Sequence, residues 1–488
     1  MQQENNKVSR EGALVKNTFI LSLGTVLPKL ATFVTLPILT GEYMQKAEFG
    51  LYDVIMVLAS LILPATTLQI QTAAFRFLCD RREEPYEQKK IITNIYAFAV
   101  PVSLISLVVV FFLLWEFSYT LRLWICAYFL ADILANVARQ ITRGLANNLD
   151  YSISAIISAI GKMVFTIIGV YFLHMGLDGA VIALFMASAS SFCYLFFKTR
   201  IYRSIDLTLL SRETLKMLLH YSWPMVPNGM SMWVMKVSDR FVIQFSMLGS
   251  VGNGLYAAAT KIPQLLQLAH MTFALAWQEN AIIYNKDKDI AKYYSEMFKT
   301  MYNLMSGFLG GLLAIAPFLF ELLIKNKDYY EAFPQVPILF LGMFFYSMSA
   351  YLGGIYVAYN ATMSIGITTI VAAVINLTTD ILLINQIGLY AASISTLVSY
   401  MILFLFRLFD IRRYVKMKYD YVQIILVFMI ILIECWLCLQ QNILALGFNF
   451  VIGISAFFVL NFPLVKVIFK KCKAMIRKLF KRKKAAGK

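Results

Sequence analysis

The sequence predicts an all-α polytopic membrane protein of about fourteen transmembrane helices. Three observations carry that prediction: an apolar share too large for a water-soluble core, near-continuous apolar runs of spanning length, and basic residues gathered on one side of the chain's loops. Hydrophobic residues make up 60% of the 488 and charged residues 15%, with a mean hydropathy of +0.69. Soluble domains carry about 45–50% apolar and about 25% charged residues. Lipid must therefore be the solvent, and only helices or a closed barrel satisfy the backbone there. Barrel strands alternate apolar and polar residues, whereas runs such as Ile95–Leu114 and Leu446–Val465 are apolar almost throughout.

Taken in order, the runs fall at 14–39, 48–78, 90–114, 119–146, 151–174, 177–200, 213–247, 252–284, 291–324, 332–360, 363–385, 388–414, 420–440 and 443–470. Several exceed what about 30 Å of hydrocarbon needs, so tilted or protruding helices are expected. The polar stretch Met1–Gly12 has no apolar core or small-residue cleavage site, so the first span is expected to start insertion itself. With that end taken as cytoplasmic, basic residues crowd the cytoplasmic ends: Arg76, Arg81, Arg82, Lys89, Arg139, Arg143, Lys198, Arg203, Arg212, Lys216, Lys292, Arg407 and Arg412 among others. Only Lys46, Arg122, Lys325 and Lys327 fall opposite. Both termini are then cytoplasmic and the span count even. The formal charge of +17 is mostly this topology signal, not a nucleic-acid footprint. Lys466–Lys488 carries eleven Lys/Arg and no acid; it reads either as an amphipathic surface helix or as a charge that holds the last span.

A weak repeat orders the runs. Gly50-Leu51-Tyr52 opens the second span and Gly254-Leu255-Tyr256 the eighth, while Gly176-Leu177 opens the sixth and Gly388-Leu389 the twelfth. The offsets, 204 and 212 residues, divide the chain into two six-span halves of the same orientation, the arrangement of transporters whose site lies between parallel repeats. The expected organisation is a cytoplasmic N-terminus (1–13), an N-terminal six-helix lobe (14–200), a cytoplasmic linker (201–212), a second pseudo-symmetric six-helix lobe (213–414), two additional helices (415–470) and a basic tail (471–488).

Ionisable groups inside spans are costly and face a bundle interior or wet cavity. Lys29, Lys162, Lys236, Asp239, Arg240 and Lys261 are such groups, and Asp132, Asn136, Arg139 and Arg143 share one helical face. Lys29, Lys236, Arg240 and Lys261 fall at a common middle-to-outer depth, so a shared cationic substrate cavity is expected, with Arg76, Arg139, Arg143 and Lys162 as further substrate contacts. Other readings compete. Asp239 could simply neutralise Lys236 or Arg240, the three arginines could snorkel to the cytoplasmic interface, and Lys162 could bond a carbonyl. Asp239, Glu279 and Asp380 are candidate ion-coupling carboxylates, with Glu434 also inside a span. Trp223, Trp233 and Trp277 read as packing or interface anchors before sugar platforms. The six scattered cysteines read as small hydrophobes, and the three histidines lack metal-ligand spacing. No cofactor, metal or enzymatic chemistry is expected, and no Walker-type loop is present.

Ala47-Glu48-Phe49-Gly50-Leu51-Tyr52 with Gln71-Thr72-Ala73-Ala74-Phe75-Arg76-Phe77 resembles the first-half signature of the polysaccharide exporter, or O-antigen flippase, family. Ser238-Asp239-Arg240-Phe241-Val242-Ile243, Gly254 to Pro263 and Phe273-Ala274-Leu275-Ala276-Trp277 are similar to its second-half signature. Gln278-Glu279 follows where relatives commonly carry proline. The resemblance, over about residues 14–470, implies the multidrug/oligosaccharidyl-lipid/polysaccharide transporter superfamily. It further implies a V-shaped pair of lobes, alternating access, and a cationic cavity for a polyprenyl-pyrophosphate-linked glycan in a bacterial inner membrane. Expected partners are that lipid-linked glycan, membrane lipids, an H⁺ or Na⁺ gradient, and glycan polymerase or assembly proteins. A lipid II flippase, a multidrug exporter and a membrane glycan polymerase or ligase are the alternatives.

Overall fold

The computed structural model describes residues 31–462 except 224, 285–288, 360 and 441, together with residue 466. Helical residues 31–39 precede sixteen further α-helices, and no strand occurs among the described residues. They are α1 (Lys46–Thr67), α2 (Ile70–Asp80), α3 (Pro85–Leu113), α4 (Tyr119–Gly144), α5 (Asn148–Thr166), α6 (Gly176–Lys198), α7 (Arg212–Ser222) and α8 (Met225–Gln244). The order continues with α9 (Gly249–Lys261), α10 (Gln264–Tyr284), α11 (Ile290–Leu323), α12 (Gln335–Ala358), α13 (Thr362–Ile387), α14 (Leu389–Asp410), α15 (Tyr421–Gln440) and α16 (Ile443–Leu460).

Among the described residues, eleven helices are long and apolar enough to cross a membrane. Their outer faces confirm the solvent: Ile105, Val108, Val109, Phe112 and Leu113 on α3 and Val422, Ile425, Leu426 and Met429 on α15 are all exposed. So long an apolar face is stable only against lipid. The chain is a multi-pass α-helical membrane protein.

Three over-long runs break, whereas run 291–324 forms the single helix α11. Run 213–247 divides into α7 and α8 at the position of Pro224, and run 252–284 divides into α9 and α10 around Pro263. Proline removes a backbone donor and clashes with the preceding turn. Run 48–78 divides without proline at the break: Leu68 (φ 48°) and Gln69 (φ 60°) are both left-handed, a conformation costing about 1–2 kcal/mol per non-glycine residue. Local polar bonds hold it. The Thr67 hydroxyl donates to Gln71 Oε1 at 2.8 Å, Gln71 Nε2 donates to Gln69 Oε1 at 3.1 Å, and the Thr72 hydroxyl donates to the Gln69 carbonyl at 2.7 Å. Sequence periodicity is blind to such a break because α1 and α2 are both apolar.

The described helices fall into two compact units. The first holds residues up to Ala258 with Leu322–Ala332 and Leu377–Ala392. Within it the linker 201–212 is pinned to α3. Asp206 N donates to the Thr93 hydroxyl at 3.0 Å, Asn94 Nδ2 donates to the Leu209 carbonyl at 3.1 Å, and Ser211 N donates to Asn94 Oδ1 at 3.0 Å. Asn94→Ala removes two linker bonds at a cost of about 1 kcal/mol each. Tryptic cleavage after Arg200 and Arg203 is expected to rise several-fold, and an unchanged rate would show that the pins do not hold the linker. The Asp206 carboxyl is held below the usual carboxylate range by its bonds to Thr208. A depressed carboxyl stabilises above its ordinary range and loses that contribution as pH falls through its folded value, so cleavage should rise only under acidic conditions.

The second unit comprises Ala259–Glu321, Phe333–Asn376 and residues from Ser393 on. Its core is aromatic. Trp277 donates from Nε1 to the Tyr351 carbonyl at 2.9 Å and stacks on the Tyr351 ring with centroids 4.3 Å apart. The Tyr351 hydroxyl donates to the Tyr294 carbonyl at 2.7 Å, so Trp277 is a packing anchor. Arg407 departs from the loop-charge reading given by its position near a cytoplasmic helix end: it is 5% exposed. Its Nε, Nη1 and Nη2 donate to the Thr368 hydroxyl, the Ser349 carbonyl and the Thr369 hydroxyl at 3.1, 2.9 and 3.0 Å. The guanidinium therefore ties α12, α13 and α14 together.

Candidate functional site

The site grows out of the two Gly-Leu-Tyr signatures, which meet inside the first unit. A Cβ on Gly50 would lie 2.0 Å from the Ser250 carbonyl oxygen, and one on Gly254 would lie 2.1 Å from the Lys46 carbonyl oxygen. Only glycine at both places lets α1 and the start of α9 touch backbone to backbone. That approach carries the next turn of each helix into a polar cluster. Arg240 Nε of α8 sits 3.2 Å from Asp53 Oδ2 of α1, with both side chains under 10% exposed. The guanidinium carbon lies 5.0 Å from the centre of the Tyr256 ring, and the Tyr256 hydroxyl donates to Asp239 Oδ2 at 2.8 Å. Asn253 Nδ2 donates to the Arg240 carbonyl at 3.2 Å, which fixes α9 against α8. Trp233 donates from Nε1 to the Val57 carbonyl at 3.2 Å and ties α8 to α1 again.

Around this core stand two further groups of the same unit. Asp380 of α13 is fully buried, neither carboxylate oxygen has a hydrogen-bond partner, and Asp239 lies within its electrostatic reach. Lys162 of α5 places Nζ 3.3 Å from the Met56 sulfur and 5.6 Å from the centre of the Tyr52 ring, with Asp53 as its charged neighbour. One end of the unit therefore concentrates three carboxylates, a guanidinium and an ammonium inside apolar helices.

The other sequence-derived candidates have neighbours of their own. Arg139 approaches Asp132 at 3.9 Å, with Asn136 bonded to the same carboxylate. Arg143 lies over the Phe75 ring at 4.5 Å. Arg76 forms an exposed pair with Asp80 at 3.0 Å. In the second unit, Lys261 is 7% exposed, and Glu434 is buried against the backbone of Gly310. Lys29 and the side chains of Lys236 and Glu279 lie outside the described residues. Asp53 and Tyr256 are functional candidates that the reading of the sequence passed over. Asp53 was legible by the rule that marked Lys29, since it is an acid inside an apolar span.

A family model described as polysaccharide biosynthesis protein matches residues 14–277, more than half of the chain. The chain belongs to the polysaccharide biosynthesis protein family. Both Gly-Leu-Tyr signatures and the Asp53–Arg240 pair lie within the matched segment of this polysaccharide biosynthesis protein. A comparison with curated proteins finds no match.

Among solved structures the fold is similar to that of the lipid II flippase MurJ in an inward closed conformation. The TM-score is 0.69 at 15% identity, covering 93% of this chain and 100% of that one. It is also similar to a MATE transporter in complex with MaL6 (TM-score 0.56, 17% identity, 82% and 96% covered) and to a Vibrio cholerae MATE transporter variant (0.57, 12%, 82% and 95%). At these identities the likeness concerns the fold alone: this member of the polysaccharide biosynthesis family shares its fold with MurJ and the MATE transporters.

Proposed function

We propose that this protein is a flippase that moves a polyprenyl-pyrophosphate-linked oligosaccharide from the cytoplasmic to the outer leaflet of a bacterial inner membrane, with both termini cytoplasmic. The observation that carries the reading is the placement of basic groups inside apolar helices of a polysaccharide biosynthesis family member, with Lys162 half-buried and Lys261 buried. A pyrophosphate head crossing hydrocarbon needs replacements for its water, and lysine and arginine supply charge-assisted bonds. Lys29, Lys162, Lys236 and Lys261 are assigned this role, and no bond is made or broken in the substrate. Arg240 acts through its pair with Asp53, as a positioning residue. In this reading the chain is no enzyme, and its energy comes from an ion gradient.

Asp239 and Asp380 are the proposed coupling pair. A buried carboxylate without a hydrogen bond is costly, and a bound H⁺ or Na⁺ removes that cost. Asp380→Asn in proteoliposomes should flatten the dependence of transport on an imposed gradient of the coupling ion, whereas a wild-type gradient response would reduce Asp380 to a structural group.

Depletion of the protein in the native cell, followed by extraction of lipid-linked intermediates, tests the function itself. A completed repeat unit should accumulate on the cytoplasmic leaflet, and an incomplete glycan would instead point to an enzyme of assembly. A lipid II flippase is the second reading, favoured by the fold likeness to the lipid II flippase MurJ over 93% of this chain.

A further inference from the structure

The short helix α7 carries two parallel stripes that the cluster above does not use. Arg212, Lys216 and His220 are exposed at intervals of four residues, and Leu215, Leu219 and Trp223 follow at the same interval beside them. Thr214, Leu218 and Ser222 are buried on the opposite face, which packs on α2 and α3, with Phe77 and Tyr221 in edge contact at 5.5 Å. An open surface region of about 650 Å³ lies over the exposed face, lined by both stripes and, at the Arg212 end, by Glu213. Trp223 closes the far end with 60% of its surface exposed.

We propose that this face is the loading ladder for the pyrophosphate head of a polyprenyl-linked lipid, an inference that rests on the flippase reading and names where its substrate first docks. A phosphate seeks successive cations, and an isoprenoid chain seeks a continuous apolar track beside them; α7 offers both in register. At 1.5 Å per residue, the eight residues from Arg212 to His220 extend about 12 Å along the axis. Cations one helical turn apart, about 6 Å along the axis, can engage both phosphates of a pyrophosphate at once, whereas a phosphatidylglycerol head presents a single phosphate. The rungs run from a guanidinium at Arg212 to an ammonium at Lys216 to an imidazole at His220.

The test measures binding of polyprenyl pyrophosphate without sugar, and of phosphatidylglycerol as rival, to the full-length protein by native mass spectrometry. Because all three basic side chains are exposed, Lys216→Ala/His220→Ala should fold normally. Loss of two charge-assisted contacts should weaken polyprenyl pyrophosphate binding at least about tenfold. Phosphatidylglycerol occupancy should stay unchanged, and Lys216→Arg should keep most of the affinity. Unchanged polyprenyl pyrophosphate affinity in the double variant, absence of binding to the wild type, or an equal loss for both lipids would each overturn the ladder. A wild type that binds the lipid but fails to translocate it would sink the flippase reading while leaving the binding result intact, so the two failures are separable.

Discussion

Asp53→Ala is expected to remove most of the folded protein from the membrane. The substitution takes the Asp53 carboxylate away from Arg240 inside the first unit, and breaking a buried ion pair from one side costs about 3–5 kcal/mol, a large part of a typical domain's stability. Arg240→Ala should cost a similar amount by breaking the same pair from the other side. The diagnostic is the double variant. Asp53→Leu with Arg240→Met replaces the pair by apolar groups of similar volume, and such replacements are often neutral or stabilising. Its abundance and melting temperature in detergent should recover toward wild type, while transport stays low because the polar cluster is gone. If Asp53→Ala accumulates at wild-type levels with normal thermal stability, the pair is not the structural hinge of the signatures.

Lys261→Ala tests the substrate role. Lys261 is 7% exposed, and the proposed function assigns it to the substrate head. Per molecule of folded protein, transport is expected to fall by about tenfold or more, the loss of one charge-assisted contact of roughly 1.5–3 kcal/mol. Lys261→Arg keeps the charge but changes its geometry, so it should retain part of the activity. Normal transport by the alanine variant would remove Lys261 from the site.

Much of this architecture was legible because lipid imposes few solutions. Twenty-residue apolar runs such as 90–114 and 388–414 can only be helices, and α3 and α14 lie there. Helix breaks were less legible. Pro224 and Pro263 announce two of them, but the left-handed pair Leu68–Gln69 depends on a side-chain network among Thr67, Gln69 and Gln71 that hydrophobic periodicity does not register. The site divides the same way. Arg240 and Asp239 were marked by the cost of charge inside a span, yet the partner of Arg240 is 187 residues away on α1, a distance no spacing rule reaches. The repeat supplied a hint that went unused, since the glycine of each signature is where the two helices touch. Arg407 lies near a helix end, where snorkelling is the ordinary outcome, but the hydroxyls of Thr368 and Thr369 and the carbonyl of Ser349 on neighbouring helices accept its bonds and allow burial.

The central claim is translocation of a glycan carried on a polyprenyl pyrophosphate. Its most direct measurement is the purified full-length protein reconstituted into vesicles with such a lipid, with glycan accessibility read by a membrane-impermeant glycosidase. Exchange of the labelled lipid between leaflets is expected in wild-type vesicles, slower by about tenfold or more in Lys261→Ala vesicles of equal protein content. Exchange no faster than in protein-free vesicles, with an imposed H⁺ or Na⁺ gradient present, would contradict it.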